Sequence, residues 1–397
     1  MTDLLSILTS LAWPFAIAIA WLAGEFGQRW TGLPRISFYG VVGFALAAPQ
    51  IGVLPPPGAD NTVSLMADVA FGLILFELGY RINLHWLRIN PWIGVAGLVE
   101  ALLTFVAVYF VAVRFGTAQL TALMLATLSM ATSPATVVRV INEQGSSGQV
   151  TERALHLCAQ NCVLAVFGFN AVLGFWIFRA SENLGDAIWS SLVVLALSAL
   201  AGAAFGVVLP ALLRALGNLR QDATVAFALG VIMLVSITYV ARLSPVVATL
   251  VFGLTARHRR VAFSQAQRNF GALGDILTVL LFVFAASTLD WRKVVAGAWL
   301  AVSLVAARLV TKTAGVTMFA HLSGVTWRKG ALTGFALAPL SVFVILLLEH
   351  ARHAGLQVVE ELRAMAAVTM LLEVFGPIII QRALVWAREA PERRHAA

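Results

Sequence analysis

The chain has 397 residues, 60% of them hydrophobic and only 12% charged, with a mean hydropathy of +0.88 and a formal net charge of +8. Soluble domains carry about 25% charged residues, so the composition argues against a soluble enzyme and gives a polytopic membrane protein. The positive charge is no sign of nucleic acid, because it is spread between apolar stretches, where it sets topology and attracts the anionic headgroups of the lipid bilayer.

A helix needs about 20 apolar residues to cross the hydrocarbon, and fewer where it is broken or tilted. Thirteen segments are expected on that basis, with approximate limits 4–24, 36–53, 64–80, 91–114, 118–141, 153–178, 186–214, 222–241, 245–257, 272–288, 294–320, 328–350 and 361–387. The first follows Asp3 rather than a basic stretch, so it is expected to be a span and not a removable signal peptide. The ninth is the shortest and opens on Ser244-Pro245. With the N-terminus outside, most of the 27 Lys and Arg residues fall on the cytoplasmic side. The opposite side holds only Arg114, Arg179, Arg242, Arg292, Lys293, Arg352 and Arg363. This bias predicts an inner (plasma) membrane protein with a cytoplasmic C-terminus. Apolar segments run end to end, so residues 1–387 are expected to form a single membrane domain, with 388–397 a short cytoplasmic tail.

Two spans are interrupted at similar depth, the fifth by "MATSPATVV" and the twelfth by "FALAPLSVF". Proline removes a backbone donor, so Pro134 and Pro339 each free carbonyls near mid-membrane. The two spans are seven apart in order and so run in opposite directions, as inverted repeats require. Proline-interrupted helices at matching positions in two halves point to a transporter site.

Charges inside spans are costly, by about 2.5–3.5 kcal/mol on insertion scales, unless they are paired or face water. Glu100, Arg308 and Glu373 lie near the middle of their spans, at the depth of the two breaks. Arg308 needs a carboxylate or a ring of carbonyls, and pairing with Glu100, Glu373 or both is expected. Glu77 lies near the end of span three, where Arg81 can pair with it, so a structural role and an ion-path role stand level. Asp275 opens span ten and Lys312 lies one turn beyond Arg308, where an interfacial or snorkelling position remains open. The two cysteines, Cys158 and Cys162, are four apart on one helix face and are not expected to form a disulfide. The seven histidines fall mostly in loops without metal-ligand spacing, no phosphate-cradling loop stands out, and no cofactor is expected.

Several stretches together resemble the monovalent cation:proton antiporter superfamily, the sodium/hydrogen exchanger-like transporters. They are "TGLPRISFYG", "LFELGYRINLHWLR", "ATSPATVVRVINEQGSSGQVTERAL", "LSPVVATLVFGLTARHRR", "AARLVTK", "LAPLS" and "EVFGP", spread over nearly the whole length. The resemblance implies an all-α fold of about 13 transmembrane helices, with inverted repeats and two broken helices crossing in a core domain. It further implies a homodimer, a monovalent cation and the proton as substrates, and a basic residue, matched by Arg308, facing the site.

Relatives usually carry Asn-Asp or Asp-Asp in the sixth span, and here "CAQNCVLAV" puts Asn161 in the first position and Cys162 in the second. An unperturbed Asp titrates near 3.9 and a Cys near 8.5, so Cys162 is neutral at pH 7 and cannot balance a cation as an Asp would. Thr132-Ser133 likewise lacks an acid that many relatives have after the Thr. Three readings follow. One is a sodium or potassium/proton antiporter with a relocated acid, Glu100 or Glu373, and Thr132, Ser133 and Asn161 as neutral ligands. Another is a transporter of the same fold with a different substrate, such as an anion drawn by Arg308. The last is a transport-inactive homologue that acts as a sensor or scaffold.

Overall fold

The computed structural model describes residues 2–56, 61–177, 184–215, 223–259, 270–340, 342–345, 347 and 363–390. The regular secondary structure among the described residues is all helical, with no strand. In chain order the helices are α1 (Thr2–Thr31), α2 (Arg35–Leu46), α3 (Asn61–Arg81), α4 (Leu84–Ile89), α5 (Pro91–Arg114), α6 (Gln119–Met130), α7 (Pro134–Gln144) and α8 (Gln149–Ile177). There follow α9 (Leu184–Ala215), α10 (Ala223–Val240), α11 (Pro245–His258), α12 (Gly271–Ser287), α13 (Trp291–Ala296), α14 (Ala298–Met318), α15 (Trp327–Ala336) and α16 (Arg363–Trp386).

Each of the thirteen expected segments has its helix, and among the described residues eight stretches are long and apolar enough to cross a membrane, one of them α6 and α7 taken together. The twelfth segment is helical at 327–336 and 342–345 with its break at 337–340; positions 341, 346 and 348–350 lie outside the described residues, as do His353 and most of the expected tail. The second ends earlier than the apolar run, at Leu46, because Pro49 disfavours helical backbone at Ala48 and the chain turns there. The ninth forms as Pro245–His258, with Pro245 in the first turn and the Ser244 hydroxyl accepting from Val247 N at 3.4 Å. Two short helices, α4 and α13, went unread in the sequence. Each is started by a side-chain cap, Asn83 accepting from His85 and Trp86 N and Asp290 accepting from Arg292 N.

Outward faces remain apolar, with Phe15, Phe110, Leu200 and Val240 all exposed, as lipid-facing helices require. Helices α3 and α11 approach until backbone meets backbone, since a Cβ on Gly253 would lie 2.0 Å from the Phe76 carbonyl oxygen. Beside that contact Phe76, Phe227 and Phe252 form an aromatic cluster, with Phe76 and Phe252 edge to face at 4.8 Å. Elsewhere α5, α8, α14 and α16 pack around the two broken helices.

Candidate functional site

Two interruptions meet at the centre of the fold. Helix α6 ends at Met130, residues 131–133 are extended, and α7 starts at Pro134, capped by Ser133. Helix α15 ends at Ala336, before the non-helical residues 338–340. The breaks are joined by Ser133 N donating to Pro339 O at 2.8 Å and by Thr132 Oγ1 donating to Leu337 O at 3.1 Å. The crossing expected of two interrupted, oppositely directed helices is thereby formed.

The prolines explain which groups come loose. Pro134 has no N–H, so Met130 O loses its helical donor, and Lys312 Nζ on α14 takes that place at 3.0 Å. Arg308, one turn earlier on α14, spreads its guanidinium over both breaks. Its Nε donates to Ser129 O at 2.9 Å, and its terminal nitrogens donate to Ala131 O and Ala338 O, to Leu337 O at 3.1 Å and to Pro339 O at 3.3 Å. The expected pairing of Arg308 with Glu100 or Glu373 is therefore replaced by a ring of carbonyls. Five N–H donors on a planar fork suit carbonyls converging from two chain segments better than one carboxylate would.

Glu100 pairs with Lys312 instead. Nζ lies 3.2 Å from Oε1 and 3.0 Å from Oε2, with both side chains wholly buried. Asn161 Nδ2 donates to Glu100 Oε1 and, at 3.2 Å, to Thr132 Oγ1, linking the acid to the break. Its Oδ1 is left as a buried acceptor without a hydrogen-bond partner among the described residues. Gly315, also on α14, lets α5 come close, since a Cβ there would lie 2.6 Å from Glu100 Cβ. The thiols of Cys158 and Cys162 both point at Thr132 O, at 3.5 and 3.4 Å. Ser133 Oγ accepts from Thr136 Oγ1 at 3.1 Å.

Thr132, Ser133, Asn161, Cys162, Arg308 and Glu100, with Pro134 and Pro339, are thus brought together. Glu373 is buried on α16 against α2, where a Cβ on Gly40 would lie 2.5 Å from its Cγ. Glu77 accepts from Arg81 and Asn142, both at 2.8 Å, tying α3 to the last turn of α7. Asp275, at the start of α12, meets Arg139 at 3.4 Å. Lys312, for which the sequence left an interfacial or snorkelling position open, is instead wholly buried at the crossing. The available signal was two cations one turn apart on α14 with the acids Glu100 and Glu373 at their depth. Arg308, Lys312 and Glu100 leave one positive charge in excess at a fully buried crossing.

Comparison of the sequence with the curated proteins finds no match. Among solved structures, the sodium proton antiporter MjNhaP1 from Methanocaldococcus jannaschii, determined at pH 8, superposes with a TM-score of 0.71 at 13% identity, covering 96% of this chain and 97% of that one. At that identity the likeness establishes the fold, an all-α antiporter-like architecture. The family described as sodium/hydrogen exchanger, transmembrane, matches residues 15–386. A match over nearly the whole chain, on that fold and with two broken helices crossing at its centre, makes this protein a member of the transmembrane sodium/hydrogen exchanger family.

Proposed function

We propose that the protein exchanges a monovalent cation, Na⁺ or K⁺, for a proton, and that Glu100 is the relocated acid while Lys312 holds the exchanged proton. The observation that carries this reading is the buried Glu100–Lys312 pair, joined through Asn161 to Thr132. When the ammonium neutralises Glu100, the pair has no net charge. A cation that takes the place of the ammonium beside Glu100, as Lys312 gives up its proton, leaves the pair uncharged again. One cation replaces one proton, so the net charge of the buried site is the same in both states and exchange adds no further uncompensated charge, which would cost several kcal/mol. Thr132 Oγ1 and Asn161 Oδ1 are oxygen ligands suited to a hard cation. Cys162 takes no part in this step.

The same reading includes a homodimer in the inner membrane, the N-terminus outside, the C-terminus cytoplasmic, and one membrane domain over residues 1–387 ending in the tail. Cysteine-accessibility labelling that places the C-terminal tail outside overturns the topology. The excess positive charge beside Arg308 favours a second reading, a transport-inactive homologue or a transporter with an anionic substrate.

Everted vesicles decide between them. Exchange predicts Na⁺- or K⁺-dependent proton movement that Glu100→Gln abolishes. A wild type silent with every cation, together with activity in Cys162→Asp, rejects the proposal and favours the inactive homologue. Wild-type activity that survives Glu100→Gln moves the acid to Glu373 or Glu77.

A further inference from the structure

Cys158, Asn161 and Cys162 lie at positions i, i+3 and i+4 of α8 and so share the face turned to the broken helix. Both thiols are fully buried and within hydrogen-bond contact of Thr132 O. Buried cysteines often serve as small apolar fillers. These two differ, because both sulfurs converge on one carbonyl at the crossing, beside the unpartnered Asn161 Oδ1 and beneath a surplus of positive charge.

We infer that this pair forms a two-thiolate site for a soft monovalent cation, Cu(I) or Ag(I), which makes soft metal ions a substrate class of the transporter. The inference rests on the exchange reading and extends it to a second set of ligands. Thiolate sulfur selects soft ions such as Cu(I), whereas Na⁺ and K⁺ prefer oxygen. In the binding step two S–H bonds break, two S–metal bonds form and two protons leave. No electron is transferred. The two thiolates and the ion together carry one negative charge, which offsets the positive charge left over from Arg308, Lys312 and Glu100. An Asp at position 162 would answer the same surplus with a hard oxygen ligand. The Cys in its place answers it only when a metal has displaced its proton, so charge compensation and soft-cation binding become one event.

The test uses the full chain, purified in detergent and titrated anaerobically with Ag⁺, a redox-stable ion of the same charge and softness as Cu(I), in excess Na⁺. Metal is counted after gel filtration, and protons are read with an indicator in weak buffer. About one Ag⁺ per chain and about two protons released per ion are expected, with binding at least ~100-fold weaker in Cys158→Ser/Cys162→Ser. A monodisperse gel-filtration profile and an unchanged thermal midpoint show that the serine variant is folded. In proteoliposomes an Ag⁺ gradient is expected to drive proton movement in wild type and not in the serine variant. Binding that survives the serine variant, or no stoichiometric binding at all, overturns the inference. Na⁺ or K⁺ flux in the same vesicles then still upholds the exchange reading. Bound Ag⁺ without flux of any cation overturns both.

Discussion

Replacing Lys312 with methionine leaves the Glu100 carboxylate buried without its cation. The side chain keeps its length and apolar stem but loses two contacts to the carboxylate, at 3.0 and 3.2 Å, and the one to Met130 O at 3.0 Å. Asn161 Nδ2 alone then faces Glu100. Removing one partner of a buried pair costs about 3–5 kcal/mol, most of it the penalty for the charge left behind. Taking about 2 °C per kcal/mol for a long chain, the thermal midpoint falls by roughly 6–10 °C. If the orphaned charge is the cause, Glu100→Gln in the same chain removes it while keeping an oxygen for Asn161, and recovers about 2 kcal/mol. Thermal unfolding of the four forms in one detergent, followed by tryptophan fluorescence, completes the cycle. A Lys312→Met protein as stable as wild type, or a double variant no more stable than Lys312→Met, refutes the pairing.

Arg308→Lys keeps the charge but not the fork, and three donors on one nitrogen cannot reach carbonyls on both breaks; a loss of about 2–3 kcal/mol is expected in the same unfolding assay. Gly253→Ala forces α3 and α11 apart, because its Cβ would lie 2.0 Å from Phe76 O. It should cost about 1–3 kcal/mol, whereas Gly94→Ala, with nothing within 4 Å of the added atom, should leave the midpoint unchanged. Glu389 caps the start of α8, accepting from Val150 N and Thr151 N at 2.8 Å each. Glu389→Ala should cost about 1–2 kcal/mol and quicken proteolysis of the C-terminal segment, which limited trypsin digestion reads.

The helices and their interruptions were legible in the order of residues, because both are local properties. Apolar length sets a span, and a proline removes a helical donor, which breaks the helix at Pro134 and Pro339 while Pro14, Pro210 and Pro377 stay inside continuous helices. Ser133-Pro134, Ser244-Pro245 and Pro339 marked their breaks without any knowledge of neighbours. Depth was also legible, which is why Glu100, Arg308 and Glu373 could be assigned to one layer and Glu77 to the end of its span. Depth along a span, however, is uncertain by about a turn, or 5.4 Å. Arg308 and Lys312 are one turn apart, so the choice between them as partner of Glu100 lay inside that uncertainty. Tertiary structure decided it through backbone carbonyls, which belong to every residue and leave no mark in a side-chain tally. Only when the two breaks cross do five carbonyls converge on Arg308, leaving Glu100 to Lys312 and setting both thiols on Thr132.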